Sequence, residues 1–328
     1  MVPFTIQNTF HEVLSAPALA PYRRFMIYTP VENPMQEQMN QYPIEGIRQI
    51  GWSPEGVVGG LNFLIEKAEA GQVSQYFLAP DAADQRKNIN LIRIVPDQVD
   101  PQKPYIVLCA GGAYMSVCTM VEALPTARHF VAAGYQVFLM TYRTMEPAAA
   151  VKALEDLNDA FTFIRTHAEE FSIADPSLYA LGGYSAGANL ISNWGDPGIG
   201  YRSFGYPKPL CLFPIYTFIN IKLEEKRDEN GGLIRPMLGE NYTPEDLDRF
   251  NVIDHLGEGY PPCYIVCGKD DNTVPPENSE EMAARLQKAG IPAILEEGAH
   301  APHGFGDGTG TDVEGWPLRA IDFMNSLL

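Results

Sequence analysis

Leu178-Tyr179-Ala180-Leu181-Gly182-Gly183-Tyr184-Ser185-Ala186-Gly187 is the stretch on which the fold turns. An apolar run, Leu178–Leu181, leads into Gly183-Tyr184-Ser185-Ala186-Gly187, and a helix-competent segment, Ala186–Trp194, follows. A strand that bends sharply into a helix lifts the intervening serine hydroxyl to the strand tip. Such a bend strains the backbone and leaves no room for bulky neighbours, which is why small residues flank the serine. The pentapeptide alone also occurs in ordinary glycine-rich turns; the strand before it and the helix after it give it weight. A serine hydroxyl is a poor nucleophile near neutral pH and needs a base. The same turn aims the Ala186 N–H, at a helix N-terminus, toward a reacting carbonyl.

Further apolar runs lie on either side: Tyr105–Cys109, Gln136–Thr141, Leu210–Ile215, Cys263–Cys267 and Ala293–Leu295. They alternate with helical segments at Pro125–Ala133, Val151–Glu170, Asn278–Ala289 and Gly315–Leu328. In the second of these, Val151, Leu154, Asn158, Phe161 and Ile164 fall at helical spacing. Short buried strands alternating with helices predict an α/β fold with a mostly parallel central sheet covered on both faces. Gln72–Leu78 and Ile89–Val95 are β-rich and flank a polar turn, so a leading antiparallel hairpin is expected.

Residues 1 to about 70 read as an N-terminal helical extension. Prolines punctuate it (Pro17, Pro21, Pro30, Pro34, Pro43, Pro54), and Leu61–Ala70 is its clearest helix. It could cover the mouth of the site or form a homodimer contact. Residues 71–328 form the main domain, interrupted at about 217–258 by an insertion. That insertion carries a charged run from Lys222 to Asp228, a Gly231-Gly232 pair and a helix start at Pro244-Glu245-Asp246, and is either a lid or a surface excursion.

The base and its partner come from the other strand ends. Cys263–Cys267 runs into Gly268-Lys269-Asp270-Asp271-Asn272-Thr273-Val274-Pro275. An acid at the C-terminal tip of a parallel strand stands beside the nucleophile, and the spacing to Val274-Pro275 favours Asp271 over Asp270. After the last strand, His300 and His303 compete. His303 is followed by Gly304-Phe305, an uncrowded loop from which an imidazole can reach Ser185. The chain order Ser185, Asp271, His303 suits this topology. Upstream, Tyr105–Cys109 opens into Ala110-Gly111-Gly112-Ala113, whose glycines let backbone N–H groups approach a ligand; Gly112 and Ala113 are the expected oxyanion donors together with Ala186. Tyr114, Tyr184, Trp194 and Trp316 lie near motif ends, where each either packs in the core or faces a sugar or acyl group; Tyr114, Tyr184 and Trp316 are the substrate-binding candidates. The remaining histidines, His11, His129, His167 and His255, have no partner at ligand spacing, so neither a metal nor a cofactor is expected.

Composition narrows the partners. The chain has 328 residues, 45% hydrophobic and 20% charged, with a formal net charge of −18. An acidic surface repels phosphate backbones and anionic membranes, so nucleic acid and membranes are not expected partners and a neutral small molecule fits better. The five cysteines sit mostly in apolar runs, which suggests reduced thiols in a cytoplasmic protein rather than a disulfide framework. No secretory leader is expected, because Arg23-Arg24 interrupt the mildly apolar stretch near the N-terminus, and no apolar run is long enough to span a bilayer.

From about residue 72 onward the chain resembles the α/β-hydrolase carbohydrate esterases related to acetyl xylan esterases and to esterase/lipase-like sugar-ester hydrolases. The resemblance rests on Ala110–Tyr114, Gly134-Tyr135, Tyr142-Arg143, Gly182–Ala188, Asp271–Ser279 and His303-Gly304-Phe305-Gly306. The tail, Gly308–Thr311 and Glu314–Trp316, adds to it. Ala110 and Ala113 depart from the His and Gly usual in the oxyanion loop. The resemblance implies two-step acyl transfer from a short-chain, typically acetyl, ester of a sugar or oligosaccharide. A peptidase or amidase on the same triad, and a non-catalytic binding module that kept the fold, are the alternatives.

Overall fold

A computed structural model describes residues 3–31, 39–227 and 232–328; Pro34, Asp228 and Gly231, named above, lie outside them. Eight strands form one sheet. They are β1 (Val73–Phe77), β2 (Asn90–Ile94), β3 (Tyr105–Cys109), β4 (Val137–Thr141), β5 (Tyr179–Tyr184), β6 (Cys211–Ile215), β7 (Cys263–Gly268) and β8 (Ala293–Gly298). Their order across the sheet is β1-β2-β4-β3-β5-β6-β7-β8. β1 pairs antiparallel with β2, and β2 antiparallel with β4; every later pairing is parallel. Every residue of β3 through β7 is buried, which requires cover on both faces and explains why these strands read as continuous apolar runs.

The cover comes from helices. α1 (Phe10–Leu14), α2 (Pro54–Glu69), α3 (Ala123–Ala132), α4 (Ala149–Thr166) and α5 (Ala186–Gly195) precede the insertion. α6 (Ile221–Arg227), α7 (Ile234–Leu238) and α8 (Pro244–Phe250) lie within it, and α9 (Glu277–Lys288) and α10 (Trp316–Asn325) close the chain. α2, α3 and α10 pack as one group; α4, α5 and α7 pack as another. No helix among the described residues is long and apolar enough to cross a membrane.

Two boundaries differ from the sequence reading for physical reasons. α2 starts at Pro54, a full two turns before Leu61, because Ser53 caps it, its side chain accepting from the Gly56 N–H, and Pro54 presets the first turn. Its Gly60 is where α2 meets α3: an added Cβ would lie 3.0 Å from the Pro125 nitrogen. β5 runs on through Gly182 and Gly183, which look like a turn in sequence. β3 and β6 hold them on both sides, and a side chain at Gly182 would strike Leu108 at 2.6 Å.

The N-terminal extension shares the main core through Phe10, Val13, Met26, Tyr28 and Ile47. It also bonds the main domain by backbone. Tyr28 and Val117 exchange two hydrogen bonds of 2.9 Å, and the Met120 N–H donates to the Met26 carbonyl at 2.8 Å. The insertion is tied at its start by the Asn278 side chain, which accepts from the Ile219 and Asn220 N–H groups, and Lys222 bonds Asn251 across its base.

Candidate active site

The parallel strands deliver their loops to one edge of the sheet, and the candidate residues meet there. Ser185 follows β5 and caps α5 with φ 51° and ψ −116°. A side chain in that left-handed region is strained, and such strain is held only where the surroundings overdetermine it. They do: the Ser185 N–H extends the ladder to Ile215, and its carbonyl accepts the first α5 bond from Asn189. Gly187 is demanded by packing, since a Cβ there would overlap the Cys109 carbonyl and lie 2.6 Å from that of Ala110. Ser185 keeps 9% of its surface exposed, enough for a small electrophile to reach its Oγ.

His303 Nε2 lies 3.0 Å from Ser185 Oγ, and its Nδ1 lies 2.7 Å from Asp271 Oδ2. The other oxygen, Asp271 Oδ1, accepts the Thr273 and Val274 N–H groups, both at 2.8 Å. As a carboxylate Asp271 only accepts, so the imidazole hydrogen sits on Nδ1 and Nε2 is left to accept from Ser185. The competing residues are placed apart. Asp270 braces the loop, accepting the Ala301 N–H at 2.8 Å, and the His300 side chain is 84% exposed.

The loop after β3 sits against this group. The Gly111 carbonyl accepts from Cys118, and that of Gly112 accepts from Met115 and Ser116. Gly112 has φ 133° and Ala113 φ 54°. The N–H groups of Gly112, Ala113 and Ala186 have no acceptor among the described residues, and they are free to bind an oxyanion. A Cβ on Gly111 would fall 2.8 Å from that of Ser185, so the loop abuts the nucleophile elbow.

The aromatic expectations are corrected. Tyr114, Tyr184 and Trp316 each have no exposed surface. Tyr114 donates to Asn189, Trp316 donates to the Gly306 carbonyl, and Tyr184 packs edge-on against Trp316. No ring face is left for a sugar; these positions are apolar because the core needs them. Trp194 is buried likewise.

Three neighbours escaped the sequence reading. Glu122 is buried, with Oε2 accepting the Gly111 N–H at 2.5 Å and Oε1 accepting the Tyr216 hydroxyl at 3.0 Å. Burial pushes its carboxyl group up to about 7, against the opposing pull of the Gly111 N–H, His303 and the Tyr216 hydroxyl. Tyr216, beyond β6, has φ 39° and a ring centroid 4.7 Å from that of His303. Trp52, from the extension, covers the turn after His303, its Nε1 standing 2.6 Å from where a Gly304 Cβ would be. A charged residue inside the apolar run Met120-Val121-Glu122-Ala123-Leu124 was the one available signal; Tyr216 and Trp52 left none.

A serine on a strand–helix elbow meets an imidazole and a carboxylate delivered by later strands of a parallel sheet. The BD-FAE family model matches residues 93–195, and the prolyl oligopeptidase family model matches residues 233–326. Endo-1,4-beta-xylanase B of Butyrivibrio fibrisolvens is 28% identical over 205 residues, 59% of this chain, which spans only 31% of that protein. An acetyl ester-xyloside bifunctional hydrolase from Caldicellulosiruptor lactoaceticus superposes with a TM-score of 0.65 at 23% identity, over 77% of this chain and 96% of the other. A carboxylesterase from Lactobacillus plantarum gives 0.63 at 18% identity, over 78% and 98%. The chain has the α/β-hydrolase fold.

Proposed function

We propose that the chain is a serine carboxylic ester hydrolase that removes acetyl or other short acyl groups from a sugar or oligosaccharide. The observation that carries this reading is His303 standing between a strained Ser185 and a doubly anchored Asp271. Ser185 Oγ attacks the ester carbonyl while its proton passes to His303 Nε2. The tetrahedral oxyanion is held by the N–H groups of Ala186 and of Gly112 or Ala113, each such donor worth about 3 kcal/mol. His303 then gives the proton to the leaving alcohol, and the acyl group stays on Ser185. A water, losing its proton to His303, attacks that acyl-enzyme and releases the acid. Asp271 holds the imidazole tautomer throughout.

The sugar substrate is supported by the names of the similar proteins, an acetyl ester-xyloside hydrolase and a xylanase, and by an acidic chain suited to neutral ligands. The five cysteines are free thiols, four of them buried, which suits a reducing cytoplasm, and we place the enzyme there. The prolyl oligopeptidase match keeps a second reading in view, cleavage of an amide on the same residues. The test is acetate release from p-nitrophenyl acetate and from acetylated xylo-oligosaccharides by wild type and Ser185→Ala, with an aminoacyl amide alongside. Acetate release that vanishes in Ser185→Ala is the expected result. Turnover of the amide alone moves the assignment to the second reading. Preference for acyl chains longer than about eight carbons, on the scale of one added CH₂ at ~0.8 kcal/mol, rejects the short-acyl proposal.

A further inference from the structure

We infer that Glu122 is a positioning residue for the reaction, its buried carboxyl group joining the oxyanion loop, through Gly111, to the imidazole of His303, through Tyr216. The inference rests on the reading of Ser185 and His303 as nucleophile and base. Glu122 lies at the start of α3 and reaches both halves of the machinery at once. Its Oε2 takes the Gly111 N–H at 2.5 Å, which fixes the Ala110–Gly111 peptide, one unit ahead of the peptide that carries the Gly112 N–H. With Gly111 held there and Gly112 turned to φ 133°, the next two N–H groups keep their hydrogens unspent. Its Oε1 takes the Tyr216 hydroxyl at 3.0 Å, and the Tyr216 ring lies against His303.

The energetics argue that packing alone does not explain this residue. No Lys or Arg pairs with Glu122 among the described residues. A carboxyl group buried without a cation costs several kcal/mol as the anion, and an apolar side chain of similar size would fill the space more cheaply. What the apolar side chain cannot do is accept from Gly111 and engage Tyr216 together. An amide can: in Glu122→Gln the side-chain oxygen accepts from Gly111 and the NH₂ donates to the Tyr216 oxygen.

The experiment compares wild type, Glu122→Ala, Glu122→Gln and Tyr216→Phe by steady-state kinetics on p-nitrophenyl acetate. Near-UV circular dichroism and melting temperature are recorded for each, and the rate of Ser185 labelling by a fluorophosphonate is measured. Glu122→Ala is expected to lose about 100-fold in kcat, the scale of one oxyanion donor misplaced, with KM within about threefold. Glu122→Gln should recover to within about fivefold of wild type, and Tyr216→Phe should lose about tenfold in kcat through its effect on His303. A folded Glu122→Ala with wild-type kcat overturns the inference. So does Glu122→Gln as slow as Glu122→Ala, because then charge and not the paired bonds is required. If Glu122→Ala does not fold, Tyr216→Phe decides: a kcat loss at constant KM upholds the inference and full speed overturns it. Labelling separates the two levels. A wild type that labels but hydrolyses no ester refutes the ester assignment, and the Glu122 comparison is then read from labelling rates. A wild type that does not label refutes the nucleophile itself.

Discussion

Asp271→Asn should cost this enzyme about 10⁴ in kcat, about 5.4 kcal/mol, while leaving its fold intact. The structure dictates which way the new amide faces. The Thr273 and Val274 N–H groups both point at Oδ1 from 2.8 Å and require an acceptor there. The amide oxygen must therefore take the Oδ1 position, and the NH₂ must take that of Oδ2, 2.7 Å from His303 Nδ1. Two donors now face each other unless the imidazole moves its hydrogen to Nε2. That tautomer points an N–H at Ser185 Oγ from 3.0 Å and has no lone pair for the serine proton. The assay is kcat on p-nitrophenyl acetate together with the fluorophosphonate labelling rate, on protein whose melting temperature lies near that of wild type. Both rates should fall together, because the defect lies in activating the nucleophile. Activity within about tenfold of wild type would refute the reasoning, for it would mean that Asp271 does not set the tautomer.

Asp156 is buried on α4 and accepts from both the backbone and the guanidinium of Arg143, at 2.7 and 2.8 Å; Asp156→Ala leaves the Arg143 N–H without its acceptor and the guanidinium only the exposed Glu155 as a carboxylate partner, and should lower the free energy of unfolding by about 3 kcal/mol in urea titrations. The carboxyl of Glu122 is raised in the folded protein from 4.5 to about 7, so the folded state holds its proton more tightly than the unfolded chain. Its contribution is fully present below pH 4.5 and is lost as pH rises through about 7, a change of about 3 kcal/mol. Unfolding measured across that window should show this decline in wild type and its absence in Glu122→Gln; equal profiles contradict it. Trp52→Ala uncovers the turn that carries His303 and should reduce kcat by about tenfold through loss of positioning, with little change in binding; an unchanged kcat means the turn holds itself.

The parallel sheet was legible because burial on both faces writes itself as uninterrupted apolar runs, and Tyr105–Cys109 and Leu210–Ile215 could hardly be read otherwise. The turn at Ser185 was legible because a strand-to-helix elbow forces small residues around it. Asp271 and His303 could be nominated from their places at strand ends, which chain order and topology constrain. Tyr114, Tyr184 and Trp316 border the motifs in sequence, where a core ring and a substrate-facing ring look alike, and all three rings are buried in the core. Contacts made across long sequence distances left no local trace. Tyr216 is one residue past an apolar strand like several others, and nothing around it announces that its hydroxyl meets Glu122 or that its ring meets His303. The paired bonds between Tyr28 and Val117 were equally silent, since a two-residue bridge has no periodicity.

That bridge sets an order of events. The elbow of β5 and α5 is held by β3 and β6, the strands on either side of it, and forms with the sheet. The oxyanion loop is different: Val117 and Met120 are held by Tyr28 and Met26, and the turn beyond His303 is held by Trp52. Contacts so distant in sequence close late, because the intervening chain must first surrender its freedom. A refolding chain would therefore regain its helices and its sheet before it regains turnover, and activity becomes a report on whether Met26, Tyr28 and Trp52 have docked.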